Sequence, residues 1–557
     1  MDPVLKTASR AAAAENGLNR ETSRLLFGVI AIGLLLRLLT LGYPALSDPS
    51  EARYAAIGQD MLQSGDWITP QTHVKGELVP FLGKPPLHAW LVAISYSLFG
   101  LNDFSARVPS FVATLFASGA AACFAYVLLD LQVAILALVF LGSAYVAFVL
   151  SASCLIDPLL GACIAWSFAS FALAVEHPKP ARRKTWGQVF FFTLGLGMLT
   201  KGPVAIVIAG IGIAVWLLLN RRLGRIWSEL PWGSGIGVFL LTWVPWYAVA
   251  ELHHPGFLKY FFINENLLRF LVKDYGDLYG SGHRYPHGTI WLMWLCAFLP
   301  WILLPAAVPS AVRRLMAGSP STSPWFSYAM LWATAPCLLF MLARQISLPY
   351  VLPGLPGAAL ALALVARESF ANSATPRLLT FFRLNVVVST IASCLMLCFA
   401  LFSGVGLKTV SFAAAVVVAA ILVSSVLRHR IADKVWLQVA LSGLANATAL
   451  TVVLLAASGR LDAAISAKGP LEYVESLSPR PDAIAFLNRA PHSAFFYSKD
   501  VSPPIAVETV PAESVATTSV RFLAVQKKEV KQLSPEALAH FRTVKDFGLW
   551  VLFERVE

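Results

Sequence analysis

The sequence predicts a mainly α, polytopic membrane helix bundle of about thirteen spans, followed by a small C-terminal periplasmic α/β domain. Three observations carry this. Of 557 residues, 57% are hydrophobic and only 13% charged, and the mean hydropathy is +0.67, outside the range of soluble globular chains. Apolar stretches of about 17–25 residues recur, each long enough to cross ~30 Å of hydrocarbon. From about residue 458 the composition changes to mixed charge with short strand-like runs.

The spans are expected near 24–42, 108–128, 132–151, 158–175, 187–200, 203–219, 231–250, 289–308, 326–342, 350–366, 380–402, 410–427 and 436–457. A cleavable signal is not evident, because the first apolar run lacks a small-residue cleavage site. The segment 86–99 is apolar but short and follows Pro85-Pro86, so it is expected as a juxtamembrane helix. The positive-inside rule agrees with this count when the N-terminus is cytoplasmic. Lys179, Arg182, Arg183 and Lys184, then Arg221, Arg222 and Arg225, then Arg313 and Arg314, and finally Arg428, Arg430 and Lys434 fall on one side. Segments 43–107, 152–157, 200–203, 251–288, 343–349 and 403–409 and the tail fall on the other. The domain reading is 1–457 for the membrane domain, with 43–107 as its first periplasmic loop, and 458–557 for the soluble domain.

In the tail, 483–487, 494–497, 522–525 and 549–553 read as strands around a helical stretch at 535–541. The net charge of +12 follows topology rather than one basic face, so nucleic acid is not expected as a partner. All seven cysteines lie in or beside apolar spans, which argues against a disulfide framework or a thiolate metal site.

Candidate chemistry gathers in the external segments. Asp48, Glu51 and Arg53, next to Tyr54, stand where the chain leaves the first span. The carboxylates suit general-base work, or they cap and start a helix. Lys84, in Gly83-Lys-Pro-Pro86, either snorkels to headgroups or meets a lipid phosphate. Asp157, before Pro158, is an acid at membrane level, functional or a helix cap. Lys201 stands at the outer end of a helix pair.

In the loop 251–288, Glu265 and Arg269 are four residues apart, an ordinary helix pair or a phosphate clamp. Lys273, Asp274 and histidines 253, 254, 283 and 287 share that loop without zinc-helix spacing. Arg344 and Tyr350 flank a turn where they touch a headgroup or mark the aromatic belt.

Glu51-Ala-Arg-Tyr-Ala55, Gly83-Lys-Pro-Pro86, Asp157-Pro158, Leu199-Thr-Lys-Gly-Pro203, residues 261–270 (FFINENLLRF) and residues 348–353 (LPYVLP) together resemble the lipid A aminoarabinose (4-amino-4-deoxy-L-arabinose) transferases. These belong to the GT-C membrane glycosyltransferases, with the protein O-mannosyltransferases. The resemblance implies a GT-C fold and transfer of 4-amino-4-deoxy-L-arabinose from undecaprenyl phosphate to lipid A at the periplasmic face of the inner membrane, giving resistance to cationic peptides. It implies that Asp48 or Glu51 with Asp157 lines the catalytic cavity, and that Lys84 and Arg269 hold the carrier phosphate. Arg53, Tyr54, Lys201, Glu265 and Tyr350 are the further expected substrate contacts. The partners expected are the undecaprenyl-phosphate-linked sugar, lipid A and membrane lipids, with the chain a monomer.

No cofactor is expected to be required, and no metal ligand is assigned. Gly83 and Ser347 depart from the family pattern, which has an acid before the lysine and a lysine before Leu-Pro; these changes bear on metal binding and on sugar identity. The alternatives are another polyprenyl-phosphate-sugar glycosyltransferase such as a protein O-mannosyltransferase, a lipid transporter, and a non-catalytic scaffold. A transporter would place paired, interrupted helices and ionisable groups at mid-membrane, whereas the charges here gather at one face.

Overall fold

Each of the thirteen apolar segments is helical in the computed structural model, which describes residues 18–556 apart from 75, 273, 274, 276–278, 280–283, 318–322, 344, 371–374, 403–405, 478–482 and 500–503. Among the described residues, eight helices are long and apolar enough to cross a membrane, or nine if a bent pair counts as one span. The remaining segments are shorter or broken, for local reasons. The bent pair, Thr289–Ala297 and Trp301–Ala307, turns by 102° at Leu299-Pro300, where proline removes a helix hydrogen bond. The segment at 132–151 splits into Leu131–Gly142 and Tyr145–Leu150, and the Tyr145 N–H turns to the Leu299 carbonyl at 2.9 Å. Leu87–Phe99 is a 13-residue helix, as the short apolar run after the proline pair predicts.

The chain forms two compact units. The first takes the described residues of Met1–Leu39, Ser110–Ala152 and Ile156–Val453. Its centre is the helix Ile156–Glu176, buried along nearly its whole length. Close packing beside it depends on small residues: a methyl added at Gly354 or Gly357 would come within 2.3 Å and 2.6 Å of the Ala333 backbone. Phe168 stacks on Trp332, ring centres 5.1 Å apart.

The second unit is Thr40–Pro109, Ser153–Leu155 and Leu454–Glu557, so the first loop and the tail share one core. Its sheet has five strands in the order Ala506–Val510, Ala483–Leu487, Phe522–Gln526, Trp550–Arg555, Phe541–Asp546. The first three run parallel and the last two pairings are antiparallel. Strand alternation gives the sheet two apolar faces. Ile484, Phe486, Phe522, Ala524, Trp550 and Leu552 enter a core with Ala52, Ala55, Ala56 and Val92 of the first loop. Ala485, Leu487, Leu523, Val525 and Phe553 face the tail's own smaller core.

One expectation is overturned here: residues 494–497 are not a strand but part of the helix His492–Lys499. Every residue from His492 to Ser498 is buried, so no polar face interrupts the run to reveal a helical period. The helix is the crossover that two adjacent parallel strands require.

Candidate functional site

In the first unit, helix Ile156–Glu176 begins at Asp157, and helix Arg183–Thr200 ends one residue before Lys201. Gly202, at φ +90°, lets the chain reverse into the helix Val204–Leu219. The turn carries Lys201 to Asp157, Nζ to Oδ1 2.6 Å, both side chains about nine-tenths buried. The ammonium also lies 4.1 Å from the Tyr350 ring centre. That contact comes from the 3₁₀ stretch Leu348–Gly354, whose prolines cannot extend an α-helix.

A second pair stands on the loop 251–288. Residues Tyr260–Leu268 form a π-helix, a geometry that tends to mark functional positions. Arg269 Nη1 bonds both Glu265 oxygens, at 2.8 and 3.0 Å. Its Nε donates to Gln345 Oε1 at 3.3 Å. Glu265 is 3% exposed and Arg269 28%, so the cation is the accessible partner.

Two packed routes connect the pairs. Gly202 lies so close to Phe261 that an added methyl would come within 2.7 Å of its ring. Tyr350 contacts Phe340 at 4.7 Å between ring centres, and Phe340 contacts Phe270 at 6.4 Å. Asp157, Lys201, Glu265, Arg269 and Tyr350, spread over almost 200 positions of the sequence, thus meet in one unit. Gln345 joins them unforeseen, although it neighbours Arg344 in a turn the sequence had singled out.

Asp48, Glu51, Arg53, Tyr54 and Lys84 belong to the second unit. Glu51, 7% exposed, accepts from Arg107 Nε at 2.7 Å and from Ser47 N–H, Ser47 hydroxyl and Cys154 N–H, each at 3.0 Å. Burial would raise its carboxyl, but Arg107 and these donors hold it below the usual value. Arg107 had drawn no attention in the sequence, being a single cation at the start of an apolar helix. Asp48 accepts from the Ser493 N–H at 3.0 Å and from the Ser493 hydroxyl. Burial pushes its carboxyl up to about 6 against these hydrogen bonds.

Both acids are therefore engaged by neighbours, a geometry that suits anchoring more than proton abstraction. Arg53 has a different setting, its guanidinium 5.4 Å from the ring centres of Tyr54 and Phe81. Tyr54 meets His88 edge-on at 5.5 Å. Lys84 Nζ donates to the Gly83 carbonyl at 2.7 Å.

His283, Lys273, Asp274 and Arg344 lie outside the described residues. Among the described residues, no three His, Cys, Asp or Glu side chains are grouped closely enough to hold a metal ion.

Residues 83–248 match the family model of dolichyl-phosphate-mannose-protein mannosyltransferases. An undecaprenyl phosphate-alpha-4-amino-4-deoxy-L-arabinose arabinosyl transferase of Shewanella sediminis (strain HAW-EB3) is 30% identical over 347 residues, covering 61% of this chain and 59% of the relative. One of the same name from Pseudomonas savastanoi pv. phaseolicola (strain 1448A / Race 6) is 30% identical over 346 residues, covering 60% of each chain. The matches thus span less than two thirds of these relatives' length. A crystal structure of ArnT from Cupriavidus metallidurans bound to undecaprenyl phosphate superposes with a TM-score of 0.71 at 21% identity, covering 95% of this chain and 97% of that one. That likeness establishes the fold, and among the described residues eight helices, or nine with the bent pair, are long and apolar enough to cross a membrane, the pattern of a multi-pass membrane protein. In sequence the chain is similar to arabinosyl transferases over about three fifths of its length, and it has the ArnT fold, a resemblance that the order of its motifs also carries.

Proposed function

We propose that the chain transfers 4-amino-4-deoxy-L-arabinose from undecaprenyl phosphate to lipid A at the periplasmic face of the inner membrane. The observation that carries this reading is that the buried pair Asp157–Lys201, with Tyr350 against the ammonium, and the pair Glu265–Arg269 stand in one helical unit, linked through Gly202–Phe261 and Tyr350–Phe340–Phe270. The names of the relatives support the donor, an undecaprenyl-phosphate-linked 4-amino-4-deoxy-L-arabinose.

The bond that breaks joins the anomeric carbon to the carrier's phosphate oxygen; the bond that forms joins that carbon to a lipid A phosphate oxygen. Undecaprenyl phosphate departs with the electron pair. Arg269 holds the charge developing on it, and Lys201 of the same unit adds a second cation. A phosphate acceptor is already anionic and scarcely needs a base. Asp157 then serves the sugar, steadying positive charge at the anomeric carbon or holding the amine. Asp48 and Glu51 act in support, through the fold of the first loop. The reaction needs no metal, and activity should persist in EDTA.

The test is mass spectrometry of lipid A from cells with and without the protein. A gain of one aminopentose residue is expected with the wild type, and a loss of at least about a hundredfold with Asp157→Asn, the size of a lost charge-stabilising contact. A C-terminal alkaline phosphatase fusion should be active, as a periplasmic tail requires. The family match over 83–248 favours one alternative, a protein O-mannosyltransferase. Unchanged lipid A together with a newly glycosylated envelope protein would select it.

A further inference from the structure

Within the second unit, the tail helix His492–Lys499 and the first-loop helix Ser50–Ser64 are joined by polar anchors as well as by apolar packing. At one end, the Ser493 N–H and hydroxyl both go to the Asp48 carboxylate. At the other, Lys499 Nζ reaches Asp60 Oδ1 at 2.5 Å, and Asp60 is 4% exposed. Between them the Tyr497 hydroxyl accepts from the Leu46 N–H at 2.9 Å and donates to Asp103 at 2.5 Å. His73, on the strand Gln71–Val74, stacks on Phe495 with ring centres 3.9 Å apart.

The geometry of these anchors fits a clamp rather than a chance contact. Asp48 precedes the helix and Asp60 lies ten residues past its start at Ser50, about 15 Å along the axis at 1.5 Å per residue. Two directional contacts so far apart fix rotation as well as position, which apolar packing alone leaves softer. A buried Asp60 without its lysine would be an uncompensated charge, so the ion pair resists sliding. The same helix carries Arg53 and Tyr54 in its first two turns.

We propose that Ser493, Tyr497 and Lys499 are positioning residues: the tail helix sets the placement of helix Ser50–Ser64, and through it the presentation of Arg53 and Tyr54 to substrate. The consequence for turnover rests on the transferase reading; the anchoring itself does not. Asp48 faces Ser493, with Arg489 and His492 of the tail also acting on it. Removing the Ser493 hydroxyl takes away a hydrogen bond that favours the ionised carboxylate.

The experiment uses the full chain in lipid nanodiscs, with Ser493→Ala, Lys499→Met and the conservative Ser493→Thr and Lys499→Arg. Lys499→Met keeps most of the stem's packing, and Tyr497→Phe removes only a hydroxyl, so folded protein is available at each anchor. Hydrogen exchange is read across residues 44–64, with helix Ile156–Glu176 as reference, beside transfer from undecaprenyl-phosphate-linked aminoarabinose to lipid A. Exchange at 44–64 should rise at least about tenfold in Ser493→Ala and Lys499→Met with the reference unchanged. The kcat should fall about tenfold with little change in acceptor KM. The acid limb of the Ser493→Ala rate profile should move to higher pH, and the conservative variants should recover most of each loss. Unchanged exchange at 44–64 overturns the proposal. So does raised exchange with kcat and pH profile as in the wild type. If the wild type transfers nothing, the transferase reading and the proposed effect on turnover fall together, while exchange still decides whether the tail anchors the loop.

Discussion

Arg107 donates to four acceptors within the second unit: Glu51 Oε1 at 2.7 Å, the Leu41 and Pro44 carbonyls at 2.8 and 2.6 Å, and the Ala45 carbonyl at 3.3 Å. A planar guanidinium can serve these directions together; an ammonium cannot. With Arg107→Met, Glu51 becomes a buried, unpaired carboxylate, and the expected loss is about 3–5 kcal/mol. Thermal unfolding of the purified chain should show it as a lowered Tm. Arg107→Lys should recover only part, and Glu51→Gln combined with Arg107→Met should lose less than the two single changes added together. Glu51 is legible as a candidate carboxylate but not as half of a buried pair, because Arg107, a single arginine near a membrane surface, has an ordinary explanation. Asp157 and Lys201 are more exceptional, as ionisable groups beside long apolar runs. They were therefore visible as candidates, although nothing in the chain between positions 157 and 201 announces that they pair.

At the level of elements, the turn after helix Arg183–Thr200 and the π-helix Tyr260–Leu268 depend on one another. Gly202 adopts a left-handed conformation at φ +90°, and its Cα hydrogens face the Phe261 ring. Gly202→Ala should therefore strain the backbone and displace the ring, separating Lys201 from Asp157 and shifting Glu265 and Arg269. The expected outcome is a fall of at least about tenfold in lipid A modification with the protein still folded, read by mass spectrometry beside the Tm. Lipid A modification at the wild-type level would show that the two segments are not coupled. A π-helix cannot be distinguished from an α-helix by pattern, since one inserted residue shifts the period only locally. The sequence suggested a helix face with Glu265 and Arg269 paired, and that pairing holds despite the different backbone. The tail helix His492–Lys499 shows the opposite outcome: its burial on all sides hid its period and made it resemble a strand.

Across the whole molecule, acid should act first where the loop and the tail share a core. Burial and the nearby Lys499 ammonium lower the His73 imidazole to about 4; burial, with Arg53, lowers His492 to about 3. A depressed imidazole favours the folded state only while neutral. Its contribution is present above about pH 6.5 and is lost as pH falls through 6.5 toward the folded value. His73→Phe keeps an aromatic ring against Phe495 without that dependence, so lowering the pH from 7 to about 4.5 should reduce the wild-type Tm more than the variant's. Equal slopes would remove His73 from the account.

The sequence by itself determined the membrane class, the helical segments, the order of the motifs and a mixed α/β tail, because apolar length and residue spacing are properties of the chain read locally. Only the tertiary structure decided that Lys201 pairs with Asp157, that Glu51 is closed off by Arg107, and that the first loop packs with the tail. Those are contacts between positions tens to hundreds of residues apart, and they depend on which faces become buried together.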